Sequence, residues 1–293
     1  MFERNLLENL LYKRIQFFLN NTLYDFLPFD DFYDKIKRKA DVLLKRKAKV
    51  LKCDAKLKII RKFESLGQTT VEYIVFFQNL IKQDSKIYME EEQQHRIAVL
   101  VQGEIISDNT VEIEDVENDT VLDWAEEEDA PREKVYNRLE AVKYAEIYWN
   151  QYNPKYPRFE NNCTNYISQC MIAGGASMTG YPKRSRGWWQ VGKNYSYSWA
   201  TANAFYWYLK GAKYGLRGEE VEKPQDLLLG DVICIDFKGV GTFNHTLIVT
   251  DKDANGMPLV NANTYNSRHR YWSYEDSTAY TPNIKYKFFR IKI

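Results

Sequence analysis

The sequence predicts an α+β protein of two domains, and three observations support this class. The chain has 293 residues, 44% of them hydrophobic, which suffices for two ordinary cores. In each half of the chain, apolar residues recur first at helical spacing and then at every second position. This change of period lies near residue 70 in the first half and near residue 229 in the second. An acidic stretch that ends at Pro131 separates the two blocks. We therefore predict a helix-plus-antiparallel-sheet domain at 1–120, an acidic linker at 121–131 and a second domain at 132–293.

The N-terminal block begins with two predicted helices. The second is expected to be long and very basic, because thirteen Lys or Arg and only two acids lie between Lys35 and Lys62. A charge run of this kind is most often a solvated helix face, and a contact with nucleic acid or an anionic surface is the alternative.

Strands are predicted after these helices, since residues 70–77 and 95–106 are rich in β-branched and aromatic residues. Between Asp108 and Asp129 the chain then carries eleven acids and no base, a charge opposite to that of the basic run. Nothing in this block is predicted to be catalytic. The sheet is expected to continue through Val111, Ile113 and Val116.

Composition excludes several classes of protein. No run approaches the roughly 18 apolar residues of a transmembrane helix, and the N-terminus lacks the basic and apolar regions of a secretion signal. The chain as written is therefore expected to be cytoplasmic, with non-classical export left open. The four cysteines are scattered, without a CxxC pair or clustered histidines. We accordingly predict no metal site, no disulfide framework and no cofactor.

The C-terminal block is predicted to be a helical half followed by a small antiparallel sheet. Helices are expected at 137–149, from Cys163 to the stop signal Gly174-Gly175, and from Ser198 to Gly211. Four strands are expected at 230–237, 244–250, 257–264 and 284–291. This order predicts a sheet packed against the helix that carries Cys163.

Cys163 is the candidate nucleophile because it lies in the first turn of a predicted helix. Asn161 and Asn162 are favoured N-cap residues, so unpaired backbone N–H groups and the positive end of the helix dipole surround the thiol. A thiolate is stabilised there, and we expect a thiol pKa below the free value of about 8.5. Cys170 lies seven residues further along the same helix and is interpreted as a packing residue.

A cysteine nucleophile needs a base and a group that orients the base. The chain has three histidines, and His245 is the candidate because it begins an apolar strand at the end of the predicted sheet. Asn263 on the next strand is the first choice to hold its imidazole, and Asn261 is the second. His269 is interpreted as an exposed loop residue and a weaker base.

Two neighbouring tryptophans, Trp188 and Trp189, follow Gly187 in a predicted loop. Their side chains are candidates for the wall of a cleft beside the cysteine, and packing in the core or in a lid is the alternative.

Several motifs of the C-terminal block occur together and in order. They resemble the bacterial putative amidase domain family, which belongs with the papain-like cysteine peptidases and amidases, and the resemblance covers residues 132–293 only. The motifs are Tyr136-Asn137-Arg138, Ala141-Val142-Lys143-Tyr144-Ala145, Tyr148-Trp149-Asn150, Cys163-Thr164-Asn165-Tyr166-Ile167-Ser168-Gln169-Cys170, Ala173-Gly174-Gly175, Gly187-Trp188-Trp189, Gly230-Asp231-Val232 and Asn244-His245-Thr246.

The resemblance implies a papain-like domain in which Cys163 is the nucleophile and His245 the base. It implies a hydrolase of amide or peptide bonds, including those of peptidoglycan peptides, acting through an acyl-enzyme. This chain has Asn162 where the family has an acidic residue and Asn263 where it has a histidine. The main chain at Cys163, with Asn162, is expected to stabilise the oxyanion.

Two alternatives to a hydrolase remain at this point. A weakened site would leave a module that binds a peptide or a protein partner, and the basic run would instead indicate a nucleic-acid contact. Hydrolase and acyl transferase are not distinguished by the sequence.

Overall fold

A computed structural model describes residues 2–20, 29–111, 122–123 and 134–293. The chain divides into two compact units, one comprising residues 1–112 and 273–280, the other residues 113–272 and 281–293. Each unit combines helices with antiparallel strands, which confirms the predicted α+β class. The predicted linker lies outside the described residues except for Leu122 and Asp123.

The first unit packs two helices on one long sheet. Its strands follow the order β2-β3-β4-β5-β1, and every pair is antiparallel except the parallel pair of β1 and β5. Its elements are α1 Phe2–Asn20, β1 Phe29–Asp30, α2 Phe32–Lys45, β2 Ala48–Ser65, β3 Gln68–Gln83, β4 Lys86–Val101 and β5 Glu104–Thr110. The predicted continuation of the sheet through Ile113 and Val116 lies outside the described residues.

The long basic helix predicted between Lys35 and Lys62 is wrong. The structure ends α2 at Lys45, and the following basic residues belong to β2. From Cys53 to Ile60 the inner and outer positions alternate with period two, so the lysines between the apolar residues point outward from a strand rather than from a helix. The apolar residues of this segment therefore follow the two-residue period of a strand and not the 3.6-residue period of a helix.

The basic face of α2 is not solvated at two of its lysines. Lys35 and Lys39 are both buried. Lys35 pairs with Glu92, and Lys39 pairs with Glu90 and, at 3.1 Å, with Asp276. These carboxylates neutralise part of the basic run within the first unit.

The second unit contains a sheet with the strand order β12-β11-β10-β9-β13-β8, antiparallel throughout. Strands β8 and β12 were not predicted, and the predicted helix from Ser198 divides into α5 and α6 at Thr201, whose backbone is extended. The elements are α3 Arg138–Tyr148, α4 Cys163–Ala173, β6 Gln190–Val191, β7 Asn194–Tyr195, α5 Tyr197–Ala200, α6 Ala202–Gly211, β8 Arg217–Val221, a 3₁₀ turn Pro224–Asp226, β9 Val232–Asp236, β10 His245–Lys252, β11 Pro258–Ala262, β12 Ser267–Tyr271 and β13 Lys285–Lys292.

Helix α4 packs on one face of this sheet, and this packing sets the position of Cys163. The helix buries Ile167, Cys170 and Met171, and the facing strands bury Val232 and Ile248 in the same core. The predicted packing role of Cys170 agrees with its complete burial. None of the described helices combines the length and the apolar character needed to cross a membrane.

A buried ionic cluster centred on Asp108 ties the first unit together. Its Oδ2 accepts hydrogen bonds from Arg14 Nη1 at 2.6 Å, Tyr73 hydroxyl at 2.9 Å and Arg96 Nε at 3.1 Å. Arg96 Nη2 also donates to Asp31 Oδ1 at 2.8 Å. Burial opposes ionisation of Asp31, but the charge of Arg96 and the hydrogen bonds from Thr110 and Arg96 together outweigh burial and lower the pKa of that carboxyl.

The first prediction concerns this cluster. Asp108→Asn removes the carboxylate that accepts from both Arg14 and Arg96, and removing one partner of a buried ion pair is costly. We expect a loss of about 3 to 5 kcal/mol in the free energy of unfolding, measured by urea denaturation. Glu64→Gln is the control, because Glu64 pairs with Lys62 while 68% exposed and should change stability by less than about 1 kcal/mol. Equal effects of the two substitutions would contradict the central role of Asp108.

Candidate active site around Cys163

Cys163 is the first residue of α4 and lines a cavity of about 330 Å³. Residues 159–161, which precede the helix, form one wall of this cavity. Arg184, residues 195–200, the start of α6 and the loop before β10 form the others. The Cys163 side chain is only 6% exposed, so the sulfur lies at the inner end of the cavity wall rather than on the surface.

Burial raises the pKa of the Cys163 thiol above its ordinary value, and hydrogen bonding by Thr164 and Thr246 opposes this only in part. The sulfur lies 3.7 Å from Thr164 Oγ1, which is 3.3 Å from Thr246 Oγ1. The sequence predicted a lowered pKa from the helix dipole. That expectation is wrong for this arrangement, because the thiol is sealed against the sheet and desolvation disfavours the thiolate.

A buried pair of amides joins the start of α4 to the end of β11. Asn162 Nδ2 donates to Asn263 Oδ1 at 2.9 Å, and Asn263 Nδ2 donates to the carbonyl oxygens of Trp149 at 3.1 Å and Tyr148 at 3.3 Å. Asn162 Oδ1 in turn accepts from Asn165 Nδ2 at 2.9 Å. Asn162, the residue directly before Cys163, is therefore held in place by Asn263 and Asn165.

The backbone next to this pair is strained. Thr264 has a φ of +85°, a conformation that a β-branched residue rarely adopts. Its Oγ1 accepts a hydrogen bond from the backbone N–H of Asn162 at 2.7 Å. Strain of this kind tends to concentrate at functional sites, and here it fixes the residue directly before Cys163.

Asn261 belongs to a second polar cluster, which surrounds Glu146. Asn261 Nδ2 donates to Glu146 Oε1 at 2.8 Å, and Arg268 Nε donates to Glu146 Oε2 at 2.6 Å. His269 Nε2 lies 3.1 Å from Glu146 Oε1. Burial would raise the pKa of Glu146, but His269 and Arg268 lower it to about 2. Contrary to prediction, His269 lies on β12 with its side chain 14% exposed, not in an exposed loop.

His245 begins β10 as predicted, but its ring does not point toward α4. Thr246 pairs with Cys234 and faces the helix through Thr164, so alternation along the strand places the His245 ring on the other face of the sheet. There the ring stacks on Phe237 with centroids 6.1 Å apart. Burial, with the nearby charge of Arg270, lowers the pKa of His245 to about 3, so the imidazole is neutral.

The structure thus brings Asn162, Cys163 and Asn263 together but leaves His245 apart. The predicted hydrogen bond from His245 to Asn263 is replaced by the bond from Asn162. The reason is the strand register, which pairs Ile248 with Asn261 and so places Asn261 and Asn263 on the face of Thr246.

Trp188 and Trp189 are core residues rather than walls of the cavity. Their side chains are 0% and 1% exposed. Trp188 Nε1 donates to Ser168 Oγ at 2.9 Å, and Trp189 Nε1 donates to the carbonyl oxygens of Lys183 and Arg186 at 3.1 Å. The aromatic side chains that line the cavity are instead those of Phe159, Tyr195, Tyr197 and Phe243.

Sequence reasoning missed Thr246, Thr264 and Glu146. Thr246 and Thr264 follow His245 and Asn263 directly, so strand alternation applied to both pairs would have drawn attention to them. Glu146 had no comparable signal, since a glutamate on an amphipathic helix is ordinary. In the described ranges, no group of three or more His, Cys, Asp or Glu side chains is arranged to hold a metal ion.

The second prediction concerns the Cys163 thiol. Because burial raises its pKa, alkylation of Cys163 by iodoacetamide should be slow near neutrality and should rise only above the free-thiol value of about 8.5. Peptide mass spectrometry across a pH series measures this, with the fully buried Cys170 as the internal reference. Fast alkylation below pH 7 that His245→Ala removes would show a preformed thiolate–imidazolium pair and contradict the prediction.

The third prediction concerns Glu146, whose pKa in the folded protein is about 2 against an ordinary value of 4.5. A depressed carboxyl pKa stabilises the fold above pH 4.5, and this contribution is lost as pH falls toward 2. Glu146→Gln should therefore destabilise the protein at neutral pH, and its difference from wild type in urea unfolding should shrink below pH 4.5. Glu140→Gln, on the exposed side of α3 and 3.6 Å from Lys143, is the control and should change little. A Glu146→Gln difference independent of pH would contradict the assignment.

Comparison with known proteins finds a matching family and a similar protein. The profile of the family described as putative amidase domain matches residues 135–289. An uncharacterized protein of Bacillus subtilis (strain 168), YhbB, is 46% identical over 265 residues, covering 87% of this chain and 85% of that protein. No solved structure matches the chain. The chain belongs to the putative amidase domain family.

Proposed function

We propose that the second unit hydrolyses an amide or peptide bond with Cys163 as the nucleophile. Membership of the putative amidase domain family indicates amide hydrolysis. The observation that carries the cysteine chemistry is the position of Cys163, the first residue of α4, in the wall of a 330 Å³ cavity. A nucleophile at a helix N-terminus has backbone donors around the carbonyl that it attacks.

In the proposed reaction the Cys163 sulfur forms a bond to the substrate carbonyl carbon while its proton passes to His245. The carbonyl oxygen becomes an oxyanion, which N–H groups of the first turn of α4 stabilise. The Asn162 side chain is held by Asn263 and Asn165, so its part is to position this turn. His245 then protonates the leaving amine as the C–N bond breaks, and water hydrolyses the thioester.

The ring of His245 must reach the face of Thr246 for this reaction to occur. His245 is the first residue of β10 and directly follows Asn244, which lines the cavity. Rotation of this strand end would carry the ring from its apolar face toward the cavity. Burial is the main cause of the low pKa of His245, about 3. Exposure of the ring to the cavity would therefore bring this pKa closer to the ordinary 6.5 and make the imidazole a stronger base.

Two features support a peptide as the substrate. The cavity is large enough for one or two amino-acid residues and is lined by aromatic side chains together with the charged residues Glu160, Arg184 and Lys238. Cell-wall peptides are one candidate class within this proposal. Transfer of the acyl group to an amine in place of water uses the same thioester, so a transferase is a variant of the same chemistry.

A second candidate function is peptide binding without turnover. The position of the His245 ring, on the sheet face opposite Thr246, favours it. In that case the cavity would hold a peptide while Cys163 stayed a neutral thiol.

The fourth prediction separates these two functions. Cys163→Ala should abolish release of amine from a panel of peptide aminomethylcoumarin amides, because no other group replaces the nucleophile. His245→Ala should lower kcat by about 100-fold or more with a small change in KM, as expected for loss of a general base.

The control for this experiment is Cys53→Ala, which removes a thiol of the first unit whose pKa burial raises to about 12. It should retain full turnover. Turnover that survives Cys163→Ala would sink the cysteine mechanism. Peptide binding by wild type without any amine release would establish the binding module in its place.

A further inference from the structure

The cavity beside Cys163 carries an arginine whose position is fixed by the protein and whose charge no carboxylate of the described residues neutralises. Arg184 Nε donates to the carbonyl oxygen of Tyr195 at 3.1 Å. The guanidinium carbon lies 4.6 Å from the ring centroid of Tyr195 and 4.8 Å from that of Tyr197. Stacking and one hydrogen bond thus orient the group while the two Nη atoms remain as donors.

The orientation of this guanidinium suits an anion. A planar guanidinium donates two parallel hydrogen bonds to a carboxylate, and prior fixing of the side chain lowers the entropy lost on binding. Among the described residues, the neighbouring Arg186 forms a salt bridge with Asp123, whereas Arg184 forms none. The arginine is exposed toward solvent, so its contribution is that of a partly screened charge.

The charges of the cavity agree with an anionic ligand. Arg184, Lys238 and Glu160 are its charged lining residues and sum to one positive charge. The loop that carries Lys238 is also held firmly, because the Asp236 carboxylate accepts from the N–H groups of Gly239 at 2.8 Å and Gly241 at 2.7 Å. Two cations therefore reach one cavity from two separately anchored loops.

Part of the remaining lining is aromatic. The ring of Phe159 meets that of Tyr195 edge to face at 4.7 Å, and the ring of Phe243 stacks on Tyr206 at 4.0 Å. These contacts make a stiff aromatic wall next to the cation, which favours an apolar side chain of the ligand.

We propose that this cavity selects amides that carry a carboxylate beside an apolar group, with Arg184 binding the carboxylate and the wall of Phe159, Tyr195 and Phe243 packing on the apolar group. This substrate class rests on the proposed function, since it names what the Cys163 site would cleave. The binding step itself does not require turnover.

The test measures binding to full-length protein carrying Cys163→Ala, so that hydrolysis does not interfere. The probes are N-acetylphenylalanine and its carboxamide, which differ only in the carboxylate, titrated by NMR or calorimetry. We expect the carboxylate to bind about three- to tenfold more tightly than the carboxamide. This is the size of effect expected for a partly exposed charge-assisted hydrogen bond. Added salt should reduce this preference.

Substitutions of Arg184 assign the preference to the arginine. Arg184→Gln should abolish it, and Arg184→Lys should restore part of it, because lysine keeps the charge but not the paired donors. The matched control is Arg158→Gln. Arg158 also stacks on a tyrosine, with its guanidinium 4.0 Å from the Tyr152 ring, but it does not line the cavity. This variant should keep the full preference.

Equal binding of the two probes, or a preference that survives Arg184→Gln, would overturn the carboxylate site. The result of this binding test does not depend on whether Cys163 acts as a nucleophile. If the amide panel shows no Cys163-dependent turnover while the preference still depends on Arg184, the site stands and the hydrolase proposal fails. If turnover depends on Cys163 but the preference is absent, the hydrolase stands and this substrate class fails.

Discussion

The hydrogen bond between Asn162 and Asn263 is the constraint on which the candidate site depends. It is buried, with the two residues 2% and 1% exposed, and it connects the residue before Cys163 to the end of β11. Asn263 also donates to two carbonyl oxygens near the end of α3, and Thr264 accepts from the backbone of Asn162. Unmet polar groups at such a position would each cost about 1 to 3 kcal/mol. The first turn of α4 is therefore held by a closed polar network, and Cys163 takes its place in the cavity from that network.

Two opposing effects act on the Cys163 thiol, and their magnitudes decide its protonation. A helix dipole stabilises an anion by about 0.3 to 1 kcal/mol at the surface and up to about 2 kcal/mol when partly buried. Full burial shifts a pKa by as much as about 3 to 5 units, each worth about 1.4 kcal/mol. Desolvation is thus the larger effect here, and the thiol is neutral despite its position at the helix N-terminus. His245 is neutral for the same reason, so the two groups avoid the ion pair on which many cysteine hydrolases rely.

The sequence predicted those parts of the structure that local chemistry determines. Helix α4 begins at Cys163 and ends before Gly174 as expected, but Asn162 makes no side-chain cap hydrogen bond to the helix and is held by Asn263 and Asn165 instead. Strand β2 was mistaken for helix because its apolar and basic residues satisfy both periods, and only pairing with β3 decides between them. Strand β12 was missed because Ser267–Tyr271 is polar and carries His269 in a left-handed conformation. Its place depends on Glu146, which lies more than 120 residues earlier.

The face of β10 toward which His245 points was beyond local reasoning as well. A strand pattern predicts that successive side chains point to opposite faces of the sheet, but it does not predict which of the two sets of side chains faces helix α4. That choice depends on the register with β9 and on the contact of Thr164 with Thr246. A change of one residue in register would exchange the two sets along the whole strand, whereas a rotation confined to the strand end would move His245 alone and bring its ring to the face of Thr246. Because His245 is the first residue of β10, this rotation breaks only the pairing with Ile235 and leaves the core from Leu247 onward intact. The proposed amide hydrolysis consequently depends less on the fold of the unit than on the cost of freeing that one pair, which a bound substrate in the neighbouring cavity would have to offset.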